Sequence, residues 1–150
     1  MGMAVMQLAP QDIQNQIVDE FNAFTDWDAR YKHIIELGKA LPDFPEAART
    51  EDNIVKGCQS QVWMLAELSD DGRVVFEADS DAMIVRGLVS LLLRVYSNQP
   101  PAVILQTDPE FIDRINMSQH ISMQRSNGLF AMIKQMKFYA LAFQMKAAQA

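Results

Sequence analysis

The sequence has a single cysteine, Cys58, among its 150 residues. One thiol cannot close an internal disulfide, and a lone free cysteine fits a reducing compartment. Together with the two histidines, His33 and His120, it makes too poor a ligand set for zinc or an iron–sulfur cluster built from one chain. We therefore expect this chain to build no metal site or iron–sulfur cluster site by itself.

Positive charge is also scarce, because 13 Lys and Arg face 19 Asp and Glu, for a formal net charge of -6. This balance argues against partners such as nucleic acid or an anionic membrane surface. Residues 110–150 depart from it with five basic and two acidic side chains. We interpret that segment as an ordinary solvated helix face, with a docking patch as the alternative.

Long hydrophobic runs and familiar catalytic motifs are missing as well. The most apolar stretch, Met83 to Tyr96, is broken by Arg86 and Arg94 and falls short of the ~20 residues that span a bilayer. Residues 1–10 lack the basic segment and apolar core of a secretion signal. No Walker loop, H-E-x-x-H or G-x-S-x-G motif is present. We expect a cytoplasmic protein that has no membrane span and uses none of these catalytic templates.

The composition that remains is that of a globular domain, with 49% hydrophobic and 21% charged residues and only six Gly and six Pro. No repeat or linker interrupts the chain. We predict one domain over residues 1–150, with residues 1–9 as a loose stub.

Apolar residues at helical spacing predict two helices near the N-terminus. Asp26 is predicted to cap the second helix, and Gly38 and Pro42 are predicted to end it. The apolar positions are Ile13, Ile17, Phe21 and Phe24 in the first helix, then Trp27, Tyr31, Ile34 and Ile35 in the second.

Alternating apolar residues on both sides of Asp70-Asp71-Gly72 predict a β-hairpin over residues 62–78. Asn53-Ile54-Val55 is predicted to add an edge strand. Helices packed mainly on one side of a small antiparallel sheet of about three strands make an α+β fold.

Three helices are predicted after the hairpin. Asp79 and Asp81 are interpreted as caps of a helix from Ala82 to about Tyr96, and Asp108-Pro109 as the start of a short helix reaching about Ile115. The last helix is predicted to begin at Ser126 or Asn127, and its inner stripe is Leu129, Met132, Ile133, Met136, Tyr139 and Phe143.

Gly57-Cys58-Gln59-Ser60 is predicted to be a loop between the helical half and the first strand. A thiol beside a flexible glycine, with Lys56 two residues away, can have a lowered pKa and act as a nucleophile. The alternative is that Cys58 is a small buried hydrophobe. His120 is a candidate general base for a thiol. The alternative is an ordinary surface or core histidine whose ring nitrogens are satisfied by hydrogen bonds. The polar residues near it in sequence are Ser122, Arg125, Ser126 and Asn127.

Ordered blocks between residues 10 and 145 resemble the SufE family of sulfur acceptor proteins, which includes CsdE. The most diagnostic block surrounds Cys58. The matching residues are Asp26-Trp27, Arg30-Tyr31, Glu36-Leu37-Gly38-Lys39, Leu41-Pro42, Asn53, Val55, Gly57-Cys58-Gln59-Ser60-Gln61-Val62-Trp63, Ala78-Asp79-Ser80-Asp81-Ala82, Ile84-Val85-Arg86-Gly87-Leu88, His120, Arg125, Asn127-Gly128-Leu129 and Ala131-Met132.

The resemblance implies a sulfur carrier with an IscU-like fold. It implies that Cys58 takes persulfide sulfur from a pyridoxal-phosphate (PLP) cysteine desulfurase of the SufS/CsdA type and stimulates that enzyme. The sulfur then passes to an iron–sulfur scaffold complex or another acceptor. The PLP belongs to the desulfurase, so the resemblance implies no metal and no cofactor on this chain. Gly57, Gln59 and Ser60 support the loop, and His120 and Arg125 are possible partner contacts.

We hypothesise that Cys58 rests against apolar side chains and swings out on Gly57 when the desulfurase docks. The protein alone should turn over nothing, and we expect a monomer or a weak homodimer. Two alternatives stay open: a stand-alone thiol enzyme using Cys58 with His120, and an adaptor whose cysteine is silent.

Overall fold

A computed structural model of the protein describes residues 9–148. The predicted N-terminal stub, residues 1–9, lies outside the described residues except for Ala9. Helices pack on one face of a single hairpin in this range. In chain order the elements are α1 (Pro10–Asn22), α2 (Trp27–Lys39), β1 (Val62–Leu68), β2 (Val74–Ser80), α3 (Met83–Tyr96), α4 (Pro101–Gln106), α5 (Glu110–Arg114) and α6 (Met123–Ala148).

Local sequence signals explain the first two helices. Ile13, Ile17 and Phe21 are buried on the inner face of α1, as their spacing predicts. The carboxylate of Asp26 accepts a hydrogen bond from the Ala29 backbone nitrogen at 2.8 Å, which confirms it as the N-cap of α2.

Helix α2 ends at Lys39, between Gly38 and Pro42, which confirms the predicted position of its end. Gly38 itself is the last residue but one of the helix and has a packing role. A Cβ on Gly38 would stand 2.6 Å from the carbonyl oxygen of Met83 in α3. Across the same contact, a Cβ on Gly87 would stand 2.0 Å from the carbonyl oxygen of Ile34. Both glycines are needed because the backbones of α2 and α3 approach too closely for any side chain.

The hairpin is confirmed, with antiparallel pairing from Val62 opposite Ser80 to Leu68 opposite Val74. Gly72 in the turn has a φ of +83°. The prediction of a third strand at residues 53–55 is wrong. Within residues 9–148 the sheet has two strands, and Ile54 makes only an isolated bridge to Trp63. Pairing stops there because the chain turns away into the loop that carries Cys58.

Helices α3 and α6 contact the hairpin. Along β2, buried Val74 and Phe76 alternate with exposed Val75 and Glu77, so one face of the sheet is covered and the other faces solvent. The buried side of the hairpin joins the same cluster of apolar side chains as the helices.

Helix starts in the second half differ from the prediction. Ala82 is the N-cap of α3, and neither Asp79 nor Asp81 caps it. Helix α6 begins at Met123 instead of at Ser126 or Asn127, and the hydroxyl of Ser122 accepts a hydrogen bond from the Arg125 backbone nitrogen at 3.2 Å.

The short helix α5 follows Pro109 as predicted, whereas α4 was not predicted. Pro100 and Pro101 are typical of a break in the chain, yet Pro101 is the first residue of α4, a position that suits proline because its missing N–H has no helical partner.

Candidate functional site

The cysteine-bearing loop, residues 56–61, is closed at its base by hydrogen bonds. The Val55 backbone nitrogen donates to the Val62 carbonyl at 2.8 Å. The hydroxyl of Ser80 donates to the Gln61 carbonyl at 2.7 Å, and the Gln61 nitrogen donates to the Asp81 carboxylate at 3.1 Å. Asp81 therefore anchors the loop instead of capping a helix.

Within the loop, Gly57 has a φ of +95°, in the left-handed region that favours glycine. This bend directs Cys58 toward α6. The thiol donates a hydrogen bond to the carbonyl of Gly128, with 3.5 Å between sulfur and oxygen, and the side chain is half-buried. A Cβ on Gly128 would lie 3.5 Å from the sulfur, so the helix touches the thiol directly.

A cavity of about 310 Å³ opens beside the thiol between α3 and α6. Its wall joins apolar side chains from α3 with polar groups from the loop and from the start of α6. The lining residues are Cys58, Gln59, Ser60, Val85, Leu88, Ser122, Gln124, Arg125, Gly128 and Met132.

Burial raises the pKa of the Cys58 thiol above its ordinary value. Lys56 is exposed, and the expectation that it lowers this pKa is wrong, because burial is the effect that dominates. The resting thiol is therefore protonated at neutral pH and is a poor nucleophile in this conformation.

The two candidate partner contacts occupy different places. Arg125 is exposed and lines the cavity. His120 is exposed and stacks on the ring of Trp27, with ring centroids 4.5 Å apart and planes at 14°. Arg30 lies 5.3 Å from the centroid of the same indole. The described cavity lining does not include His120, so this geometry gives no support to a Cys58–His120 pair.

A buried carboxylate near the site was misread from sequence. Asp79 is 3% exposed, and its oxygens lie 2.5 Å from a guanidinium nitrogen of Arg49 and 3.4 Å from Nε of Arg86. The Arg49 guanidinium also lies 5.0 Å from the ring centroid of Trp63. These contacts fix the chain before the cysteine loop to the hairpin. The sequence signal for this role is that Asp79 belongs to the block Ala78-Asp79-Ser80-Asp81-Ala82. An aspartate just before a helix is also typical of a helix cap, so the signal does not distinguish the two roles.

Other cavity residues were only partly anticipated. Ser122 and Arg125 belong to the polar cluster noted in the sequence, whereas Gln124 was not singled out. Val85 and Leu88 lie on the apolar face of α3, a correctly predicted helix. The sequence around them does not indicate that they line a cavity beside the Cys58 thiol.

Residues 9–148 contain no cluster of three or more His, Cys, Asp or Glu side chains that could hold a metal ion. In the same range no helix combines the length and the apolarity required to cross a bilayer.

Comparison with known proteins gives one consistent family. Residues 15–140 match the model of the family described as "SufE: Fe-S metabolism associated domain". An uncharacterized SufE-like protein of Rhizobium etli is 46% identical over 127 residues, covering 82% of this chain and 86% of that protein. A second uncharacterized SufE-like protein, from Rhizobium meliloti, is 42% identical over 127 residues, covering 82% of this chain and 91% of that protein.

A solved structure supports the fold. The solution structure of a hypothetical protein from Thermus thermophilus superposes with a TM-score of 0.73, covering 89% of this chain and 96% of that one. Sequence identity is 18%, so this likeness concerns the fold alone.

Proposed function

The chain belongs to the SufE family, and from that premise we propose that it carries sulfur as a persulfide on Cys58. The donor is the persulfide of a PLP-dependent cysteine desulfurase. The carrier stimulates this enzyme because it removes the persulfide sulfur from the desulfurase cysteine. The recipient is an iron–sulfur scaffold complex or another acceptor. The reaction takes place in the cytoplasm.

The observation that carries this proposal is the position of Cys58. The only thiol of the chain lies on a loop, touches Gly128 and forms part of the wall of a cavity. A cysteine that merely filled the core would have no open volume beside its sulfur. A carrier needs one thiol that can be both reached and sheltered.

The transfer is a thiol–persulfide exchange without net oxidation or reduction. The Cys58 thiolate attacks the outer sulfur of the donor persulfide. One sulfur–sulfur bond forms on Cys58, the sulfur–sulfur bond of the donor breaks, and the donor cysteine leaves as a thiolate. No metal or further co-reactant takes part.

The raised pKa of Cys58 sets a requirement for this step. The thiol must lose its proton before attack, so the reactive conformation has to be less buried or closer to a positive charge than the resting one. Rotation at Gly57 moves the loop while its base stays hydrogen-bonded at Val55 and Gln61. Docking of the desulfurase then supplies the open state.

The cavity suits the persulfide that results. Val85, Leu88 and Met132 give it an apolar wall, and its volume of about 310 Å³ exceeds what one additional sulfur atom requires. A persulfide returned to this wall is shielded from thiol reductants in solution. The exposed guanidinium of Arg125 stands at the rim, where a partner can reach it.

The deciding experiment is intact-protein mass spectrometry after incubation with a PLP-dependent cysteine desulfurase and cysteine, without reductant. We expect the wild type to gain one or more sulfur atoms, the gain to be reversed by reductant, and Cys58→Ser to gain none. Glu67→Gln is the matched control, because Glu67 is exposed on the hairpin and does not line the cavity; it should gain sulfur like the wild type.

The outcomes separate the three candidates. A carrier loses sulfur acceptance in Cys58→Ser while still binding the desulfurase. Sulfur acceptance by Cys58→Ser, or none by the wild type with its cognate desulfurase, rejects the carrier. Turnover of a substrate without a partner that is lost in His120→Ala indicates a thiol enzyme, and full function in Cys58→Ser indicates an adaptor.

A further inference from the structure

The hydroxyl of Ser80 belongs to one of the few buried polar side chains among the described residues. Ser80 is the last residue of β2 and is 4% exposed. Its hydroxyl donates a hydrogen bond to the Gln61 carbonyl at 2.7 Å and accepts one from the Ala82 backbone nitrogen at 3.2 Å. One side chain therefore ties the last residue of the cysteine-bearing loop to the residue that precedes α3.

Both of the segments that Ser80 ties together contribute to the cavity beside the thiol. Cys58 lies three residues before Gln61 in the loop. Val85 and Leu88 lie in the first two turns of α3. All three of these side chains line the cavity. The Ser80 hydroxyl therefore fixes the end of the loop relative to the start of one cavity wall.

The Ser80 backbone is itself held in place by its neighbours. Its nitrogen donates a hydrogen bond to the carboxylate of Asp79 at 2.8 Å. That carboxylate is buried and pairs with the guanidinium groups of Arg49 and Arg86. Ser80 is also paired with Val62 across the hairpin. A hydroxyl on such a fixed support can hold another segment at a defined place.

The cysteine-bearing loop has one end that can turn and one end that is held. Gly57 has a φ of +95°, and as a glycine it can adopt other backbone angles when the loop moves. Gln61 is held through both backbone groups, because its carbonyl accepts from the Ser80 hydroxyl and its nitrogen donates to the Asp81 carboxylate. A loop that turns at one end and is held at the other moves its thiol along a restricted path.

The neighbours of Ser80 do not replace its hydroxyl. The Asp81 backbone nitrogen also donates to the Gln61 carbonyl, but at 3.2 Å against 2.7 Å for the hydroxyl. The Ala82 nitrogen loses the hydroxyl as its acceptor when Ser80 becomes alanine. Ser80→Ala therefore weakens the base of the loop at two hydrogen bonds, while the backbone pairing of the hairpin stays in place.

Sulfur transfer requires more of the thiol than exposure. The Cys58 thiolate must approach the outer sulfur of the donor persulfide closely and in a suitable direction. A loop that is loose at both ends exposes the thiol but presents it in many positions, of which few are reactive. We propose that Ser80 is a positioning residue for sulfur acceptance, because its hydroxyl holds the base of the loop while the thiol moves out. This inference rests on the proposed carrier function.

Two rates measured on the same variants test the proposal. The first is alkylation of Cys58 by iodoacetamide, which needs only exposure of the thiol. The second is single-turnover transfer of sulfur from an excess of persulfide-loaded, PLP-dependent cysteine desulfurase, followed by intact mass. At saturating desulfurase the loop is already drawn out, so this rate reports placement of the thiol and not opening of the loop.

The two rates should move in opposite directions in Ser80→Ala. We expect alkylation to become about 2- to 10-fold faster and saturated transfer to become slower by a similar factor, which corresponds to the net contribution of one hydrogen bond. The affinity for the desulfurase should not change, because the buried Ser80 side chain cannot touch a partner.

Ser97→Ala is the matched control. The Ser97 hydroxyl accepts a hydrogen bond from the Phe76 nitrogen at 2.9 Å, so it also ties β2 to α3, but near the other end of both elements. Both rates in this variant should equal those of the wild type. Ser80→Thr keeps the hydroxyl and should have wild-type rates as well. Urea unfolding checks that each variant is folded and that the two alanine variants have comparable stability.

Several results overturn the proposal. Unchanged rates in Ser80→Ala reject it, and so does faster alkylation with unchanged transfer, because the hydroxyl then holds the loop without positioning the thiol. Equal changes in Ser97→Ala indicate general loosening of the hairpin. A folded Ser80→Thr that behaves like Ser80→Ala shows that the hydroxyl is not the cause. If Ser80→Thr does not fold, the comparison of Ser80→Ala with Ser97→Ala decides alone.

Failure of the carrier proposal gives a different result. A wild type that accepts no sulfur from its cognate desulfurase rejects the carrier and the positioning role together. The alkylation rates need no desulfurase, so they still show whether the Ser80 hydroxyl holds the loop. A wild type that accepts sulfur at the same rate as Ser80→Ala leaves the carrier intact and rejects only this inference.

Discussion

Gly57→Ala tests whether the resting position of Cys58 depends on the backbone of the preceding residue. Gly57 has a φ of +95°, which an alanine adopts only with strain. A Cβ there would also stand 3.3 Å from the Cβ of Ala131 in α6, tighter than an ordinary contact. Both effects oppose the resting loop, whereas a released loop can relax to negative φ.

The size of the effect follows from the strain. A left-handed alanine costs about 1–2 kcal/mol relative to glycine, which acts only on the resting conformation. The equilibrium between resting and released loops should then shift by about 5- to 30-fold, at about 1.4 kcal/mol per factor of ten. If the released thiol is the reactive one, alkylation of Cys58 should accelerate by up to that factor.

The assay is the pseudo-first-order rate of iodoacetamide alkylation at neutral pH, followed by intact mass, with Cys58→Ser as the blank. Gly72→Ala is the matched control. Gly72 has a φ of +83° in the hairpin turn, and nothing lies within 4 Å of its Cβ position. This control should lose comparable stability while leaving the alkylation rate unchanged.

An unchanged or slower rate in Gly57→Ala would refute the reasoning, since it means that the resting loop does not depend on this φ. Faster alkylation of Cys58 in both Gly57→Ala and Gly72→Ala would also refute the reasoning, for another cause. The thiol would then be exposed by global unfolding and not by movement of its own loop.

Further predictions concern the thiol, the buried carboxylate and the helix contact. Because burial raises the pKa of Cys58, the alkylation rate of the folded protein should rise with pH through a higher midpoint than that of the urea-unfolded chain; an equal midpoint contradicts the burial argument. Asp79→Ala removes the buried partner of Arg49, so its urea midpoint should fall further than that of Asp71→Ala, whose carboxylate is exposed. Gly87→Ala forces a methyl against the Ile34 carbonyl and should cost about 3 kcal/mol or more of unfolding free energy, or prevent folding; a near-neutral urea midpoint would mean that α2 and α3 do not approach this closely.

Features that depend on neighbouring residues in the chain could be predicted from the sequence. The inner face of α1, the Asp26 cap and the hairpin turn at Gly72 each follow from spacing or turn chemistry over a few residues. Such signals act locally, so no knowledge of the rest of the fold is required.

Features that depend on distant contacts could not be predicted in this way. Gly38 is typical of a helix end in sequence, and only the approach of α3 shows that this position also needs a glycine for packing. Asp79 is typical of a helix cap until Arg49, thirty residues earlier in the chain, is brought beside it. The strand predicted at Ile54 forms only one bridge, to Trp63, because the chain turns into the cysteine-bearing loop directly after it.

The candidate site divides along the same line. Cys58 could be selected from the block of residues around it, but the cavity joins that loop to α3 and α6, whose contributing residues lie far along the chain. The electrostatic prediction from Lys56 was wrong for a related reason. Closeness in sequence does not fix where a flexible lysine places its charge, whereas contact with α6 does fix the burial of the sulfur.

A protonated, half-buried thiol would be a disadvantage for an enzyme that acts alone, but it suits a carrier. A thiol with a raised pKa reacts slowly with the oxidants and electrophiles that it meets between partners. In the proposed carrier, the same burial must be relieved before Cys58 accepts sulfur. Reactivity in that proposal depends on a partner that draws out the loop, so that specificity would come from docking and not from the thiol itself. The Gly57→Ala variant should accordingly gain alkylation rate and lose part of this selectivity.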